Sequence, residues 1–137
     1  MIRALVISIL FISQLSFAQN PQITRCHQSG GQFVVADMYW HGQNDQVGFC
    51  KFGLATAGAL DVMSFIDSQK NLLPQAFADY SNGITTCSGE VVTARLVNSS
   101  TQMNVCIYSD NSMIDVATLI SGKEASQNQL FNLFLGL

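Results

Sequence analysis

The four cysteines of this chain fall into two pairs with the same sequence context. Cys26 precedes an apolar run, and Cys50 follows in Cys50-Lys51-Phe52; Cys87 and Cys106 repeat this order. An Asp-containing apolar segment follows each second cysteine, so equivalent positions lie 54 to 61 residues apart. Such a repeat predicts a duplicated unit in which each copy is held by its own cysteine pair.

Four cysteines allow three disulfide connectivities. If each unit is self-contained, the bonds are Cys26–Cys50 and Cys87–Cys106, and loops of this length stabilise a fold by roughly 3 kcal/mol each. No two cysteines have the close C-x-x-C spacing of a metal site. The sequence therefore predicts structural disulfides, no metal site and no cofactor.

Residues 1–18 have the pattern of an export signal. Arg3 is followed by an apolar stretch over residues 4–12 and by small residues in Ser16-Phe17-Ala18. The apolar stretch is about half the roughly 20 residues that a membrane-spanning helix needs. We therefore predict a signal peptide cleaved after Ala18, no stable membrane anchor after cleavage, and a periplasmic or secreted protein.

Residues 19–137 remain, with a net charge of −4. This acidic balance argues against binding to nucleic acid or to anionic membrane surfaces. The length suits one exported domain made of two repeats, at about residues 20–78 and 79–137.

Alternating apolar residues predict two β-hairpins. The expected strands are 32–39 and 46–52, joined by a turn at 40–45, and 90–97 and 102–108, joined by a turn at 98–101. Residues 71–83, which include Pro74, are expected to form a linker between the units.

Helical spacing follows each hairpin. Leu60, Met63 and Ile66 predict one helix, and Met113, Ala117 and Ile120 predict another, with Asp110 or Ser112 as its cap. We expect Met63, Ile66, Ala117 and Ile120 to be buried. Residues 126–135 predict a C-terminal helix with Leu130, Phe131, Phe134 and Leu135 on one side, either packed on the core or exposed as a docking site.

A hairpin with one helix buries too little apolar surface to be stable alone. The sequence therefore predicts an α+β fold of two tandem strand-strand-helix units, which form a four-stranded antiparallel sheet with the helices on one face. The alternative is two separate small units, each held mainly by its disulfide.

The first unit also resembles a known family. Asn20-Pro21, Cys26, Gly30-Gly31 and Gly48-Phe49-Cys50-Lys51-Phe52 resemble the short exported bacterial domains labelled hemolysins, over roughly residues 20–66. The second unit has Ser88-Gly89-Glu90 in place of the Gly-Gly pair, while Asp110-Asn111 is similar to the family's acidic turn. The resemblance implies an exported bacterial protein and no particular activity.

Tyr39, Trp40 and His41 at the first turn are the candidate binding residues, because aromatic side chains on exposed loops are typical of interfaces. In the alternative, Trp40 turns inward and covers the core. Catalytic motifs such as G-x-S-x-G and H-E-x-x-H are absent from the sequence. His41 and Asp45 could form a catalytic dyad in the turn, but the sequence favours a solvated loop histidine.

No catalytic residue is therefore predicted, and Asp61 and Asp115 are expected on the solvent side of a helix or near its first turn. The sequence favours an exported, non-enzymatic binding or inhibitor module whose partner is a protein or envelope component. The alternative is a small extracytoplasmic hydrolase with a site between the two units.

Overall fold

The computed structural model describes residues 21–52 and 74–137. The predicted signal peptide and the helix expected around Met63, with Asp61 and Ile66, lie outside the described residues.

Among the described residues, five antiparallel strands form one sheet in the order β2-β1-β3-β4-β5. They are β1 (Gln32–Trp40), β2 (Gln43–Lys51), β3 (Glu90–Leu96), β4 (Gln102–Ile107) and β5 (Met113–Asp115). The α+β class and both hairpins agree with the sequence analysis, but the expected count of four strands is wrong. The fifth strand forms because the turn after β4 is closed by a hydrogen bond from Tyr108 N to Ser112 O at 2.9 Å, which returns the chain along β4.

The described helices are α1 (Pro21–Gln28), α2 (Gln75–Ser81), α3 (Val116–Ser121) and α4 (Gln129–Leu135), with a 3₁₀ turn at Ser126–Asn128 before α4. Helix α2 lies within residues 71–83, where the sequence analysis predicted a linker and no helix. It buries Ala76 and Tyr80 against the sheet, so tertiary packing stabilises a sequence with weak helical signals.

The helix after the second hairpin is shifted from its expected position. Met113 belongs to β5, and α3 starts only at Val116, with Asp115 as its N-cap. The shift rotates the helix, so Ala117 and Ile120 are exposed, whereas the sequence predicted them to be buried. The proposed caps Asp110 and Ser112 are also wrong for this helix.

One face of the sheet carries the helices. The core on this face contains Cys50 and Cys106, the second cysteine of each disulfide, together with side chains from all four described helices. The helical contributors are Cys26, Ala76, Tyr80, Leu119, Phe131, Phe134 and Leu135. The described helices thus lie on one face, whereas the place of the helix expected around Met63 stays a prediction.

The other face is lined by strand residues and closes on itself. Ala36 and Ala94 from the central strands are fully buried there, together with Phe49 from β2 and Met113 from β5. Since β2 and β5 are the two edges of the sheet, their contribution to one cluster shows that the sheet is curled.

Two disulfides fasten the hairpins to the helix-bearing face, and they are the pairs expected from self-contained units. Cys26 of α1 is bonded to Cys50 of β2, and Cys87, just before β3, is bonded to Cys106 of β4. Disulfides of this kind persist in oxidising compartments, so the protein is non-cytoplasmic.

The C-terminal helix packs on the core. The Phe131 ring meets Tyr80 edge to face at 5.0 Å between centroids and lies 5.8 Å from Phe52. Tyr80 also donates its hydroxyl to Asn132 Oδ1 at 2.7 Å. Leu130, expected on the packed side, is instead exposed.

Candidate functional site

The first hairpin ends in a tight two-residue turn. Trp40 pairs directly with Gln43, which leaves His41 and Gly42 between the strands with φ values of 50° and 79°. Positive φ at both central residues matches the right-handed twist of the strands and permits a two-residue loop. The expected six-residue turn at 40–45 is therefore wrong, because residues 43–45 continue strand β2.

A carboxylate from the second hairpin meets this turn. Glu90 Oε2 accepts the indole N–H of Trp40 at 3.1 Å and lies 3.5 Å from His41 Nε2. The Trp40 and His41 rings contact each other, with 4.2 Å between their centroids. One carboxylate thus contacts two neighbouring aromatic side chains and forms a hydrogen bond with the first of them.

The pairing of β1 with β3 brings these residues together. Met38 lies opposite Ala94, and continuing that register places Trp40 opposite Val92 and diagonal to Glu90. Diagonal neighbours on a sheet are within reach of long side chains. The contact therefore depends on the order in which the two hairpins join.

A cavity of about 430 Å³ lies beside this cluster. Trp40, His41 and Glu90 line one part of it, and Ser88, Tyr108 and Asn111 line another. The side chains of His41 and Glu90 are 65% and 58% exposed, so both can also contact a ligand. The cavity joins an apolar ring to groups that donate or accept hydrogen bonds.

Tyr108 forms a buried part of the cavity wall. Its hydroxyl is buried close to the Asp79 carboxylate, but it makes no hydrogen bond of good geometry among the described residues. Burial raises the pKa of Tyr108 to about 12, and the negative charges of Asp79 and Asp110 act in the same direction. The phenol is therefore neutral at physiological pH, and the surroundings of the cavity are acidic.

The predicted binding residues separate onto different surfaces. Trp40 and His41 line the cavity, while the adjacent Tyr39 points to the opposite face of β1 and is 67% exposed. Trp40 also packs at the edge of the core inside the curled sheet. Its side chain therefore both lines the cavity and covers part of the core, so each of the two predicted orientations describes part of its environment.

Other sequence candidates do not converge on this cavity. Asp45 lies in β2 opposite Met38, so the acidic partner of His41 is Glu90. Asp115 caps α3 through a hydrogen bond from Thr118 N at 3.0 Å, which agrees with a place near the first turn of a helix. Asp115 is buried, so the alternative of a solvent-facing position is wrong.

Glu90, Ser88 and Tyr108 were missed as site residues. Glu90 was recognised only as the start of a strand, and its proximity to Trp40 arises from the β1–β3 pairing. The sequence signal that could have identified Glu90 is its position as an acidic residue at the start of β3, the strand that pairs with β1 of the first hairpin.

Within the described parts of the chain, no three His, Cys, Asp or Glu side chains converge to hold a metal ion. None of the helices described is long and apolar enough to cross a membrane. Comparison with protein-family models, with curated proteins and with solved structures finds no match.

Proposed function

We propose that this protein is an exported binding module whose partner contacts the cavity beside Trp40 and His41. The observation that carries the proposal is the bond from Trp40 to Glu90, which holds an aromatic anchor at the edge of a cavity before any partner arrives. An anchor that is already ordered loses less conformational entropy on binding. Trp is also enriched among the residues that dominate binding energy.

The chemistry of the cavity favours a protein or envelope component with a basic or N–H-donating group. Glu90 uses one oxygen for Trp40 and His41, and its side chain is largely exposed. Asp79 and Asp110 add negative charge near the same wall. Electrostatic complementarity therefore favours a Lys or Arg side chain at this position.

The test begins with capture of partners from an envelope extract, followed by direct titration of each purified candidate. Trp40 is the single tryptophan of the chain, so its fluorescence reports binding at this cavity. Glu90→Gln keeps the shape of the side chain and removes its charge, and we expect it to weaken binding about tenfold.

Leu133→Ala is the matched surface control, because Leu133 is 65% exposed on α4, away from the cavity lining. It should bind as the unaltered protein does. Equal affinities for the Glu90→Gln variant and the unaltered protein, at equal thermal midpoints, would contradict the proposal.

A hydrolase with a site between the two units is the second candidate. It is supported by the position of His41 and Glu90, which come from different hairpins and lie 3.5 Å apart. A histidine oriented by a carboxylate is the usual general base of hydrolytic sites. Turnover of chromogenic ester or glycoside substrates that His41→Ala abolishes, with no loss of stability, would favour this function over binding alone.

A further inference from the structure

A second cavity, of about 360 Å³, lies at the other end of the curled sheet. Its wall includes Lys51 at the end of β2 and Leu96 at the end of β3, whereas Trp40 lies at the end of β1 where the first hairpin turns. The two cavities share no lining residue. This second site is therefore independent of the proposed function.

Much of the second cavity wall is apolar. Leu96 and Met103 come from the sheet, and Val116, Ala117 and Ile120 come from α3. Ile120 is 61% exposed, although it is a large apolar side chain. An apolar side chain left open to a concave surface is typical of a ligand site, because a bound apolar group would remove it from water.

Lys51 supplies a positive charge to the same wall. It is half-buried, and the structure gives it no ion-pair partner within residues 21–52 and 74–137. A half-buried lysine without a counter-ion among these residues is well placed to bind an anion. The positive charge of Lys51 thus indicates that the anionic end of a ligand would lie near β2.

Asp115 also lines the cavity, but its carboxylate is occupied by the start of α3. Its Oδ2 accepts the backbone N–H and the hydroxyl of Thr118, at 3.0 and 3.1 Å, and the residue is 3% exposed. Burial raises the pKa of Asp115, in keeping with poor access to solvent. Lys51 is therefore the charge that a ligand would meet.

We propose that this cavity binds a small amphiphile, a medium-chain fatty acid, through its carboxylate at Lys51 and its apolar chain on Ile120 and Met103. The volume lies near the lower end of the roughly 300–1,000 Å³ typical of ligand pockets, which favours a short chain over a long lipid. The ligand would also pack against Leu96 and Val116, which line the same cavity.

The test follows the Met103 side-chain methyl group by NMR during titration with octanoate. 1-Octanol serves as the uncharged match with the same chain length. We expect octanoate to shift the Met103 resonance saturably and to bind about tenfold more tightly than 1-octanol, because the charged head group gains a charge-assisted hydrogen bond.

Lys51→Gln should bring the affinity for octanoate down to that for 1-octanol, and Ile120→Ser should weaken both ligands. Arg95→Gln is the control, because it removes one positive charge from an exposed position that does not line the cavity. The absence of a saturable Met103 shift, or equal losses in Lys51→Gln and Arg95→Gln, would overturn the proposal. Binding at Trp40 is measured by fluorescence, so either site can fail without the other.

Discussion

The carboxylate of Asp110 accepts the backbone N–H of Gln75 at 2.7 Å, although 35 residues separate them. Its other oxygen accepts the N–H and hydroxyl of Ser112, and Ser112 Oγ in turn accepts the N–H of Ala76 at 3.0 Å. Pro74, at the N-cap of α2, makes no side-chain capping bond. The turn after β4 thus caps α2 and couples this helix to the edge of the sheet.

Asp110→Asn should destabilise the fold by about 1 kcal/mol, the typical value of a helix cap. An amide has a single carbonyl oxygen and cannot accept hydrogen bonds from Ser112 and Gln75 on two oxygens. Urea unfolding at neutral pH measures the loss. Asp115→Asn is the control, because an Asn at that N-cap still accepts from Thr118 with one oxygen.

The contribution of Asp110 should also depend on pH. Burial alone would raise the pKa of Asp110, but hydrogen bonds from Ser112 and from the Gln75 backbone outweigh it and lower the pKa below its ordinary value of 3.8. The stabilisation is therefore fully present above that value and is lost as pH falls through the lower folded pKa. We expect the stabilities of Asp110→Asn and the unaltered protein to converge as pH is lowered; a constant difference down to about pH 2 would contradict this.

Gly31→Ala and Gly89→Ala should each destabilise the fold by about 1–3 kcal/mol through overpacking. A Cβ at Gly31 would lie 2.5 Å from Cys50 Sγ, and one at Gly89 would overlap the carbonyl group of Ile107. Gly89→Ala should cost more, because backbone atoms cannot rotate away. Thermal unfolding checks both changes.

The control for these glycines is Gly83→Asn. Gly83 has a φ of 76° and open space around its Cα, and Asn tolerates this backbone region better than other side chains do. The thermal midpoint should change little. Equal changes in thermal midpoint at all three glycines would show that close packing of Gly31 on Cys50 and of Gly89 on Ile107 is not the cause.

Leu119→Ala should destabilise the protein by about 2–5 kcal/mol, because Leu119 is fully buried against the sheet. Its neighbour Ile120 is exposed, so Ile120→Ala should change stability by less than about 0.5 kcal/mol. Chemical unfolding of the two variants compares adjacent residues of one helix. The reverse ranking would mean that α3 presents the face expected from sequence periodicity.

Removing either disulfide by paired Cys→Ala changes should lower the free energy of unfolding by roughly 3 kcal/mol in the chain-entropy model. The Cys26–Cys50 and Cys87–Cys106 loops have sequence separations of 24 and 19, so the two losses should be similar. Non-reducing peptide mapping of the intact protein checks the pairing. A peptide that links Cys26 to Cys87 would contradict it.

Hairpins and disulfide pairs were predictable because their signals are local. Alternating apolar residues identified all four strands around the cysteines, and the repeated order of Cys26, Cys50, Cys87 and Cys106 indicated the pairing that the structure contains. The spacing of the C-terminal apolar residues likewise predicted a helix, but whether this helix is packed or exposed was left open by the sequence. In each case, neighbours along the chain carry the information.

The rest depended on contacts between distant parts of the chain. Helix α2 has its cap in Asp110 and Ser112, and α3 begins late because Met113–Asp115 pairs with β4. The sequence by itself therefore determined the α+β class and the hairpins, and it indicated the cysteine pairing on the condition that each unit is self-contained. The tertiary structure decided the fifth strand, the exposed face of α3 and the meeting of Trp40 with Glu90, because these follow from strand order and from hydrogen bonds that no local pattern encodes.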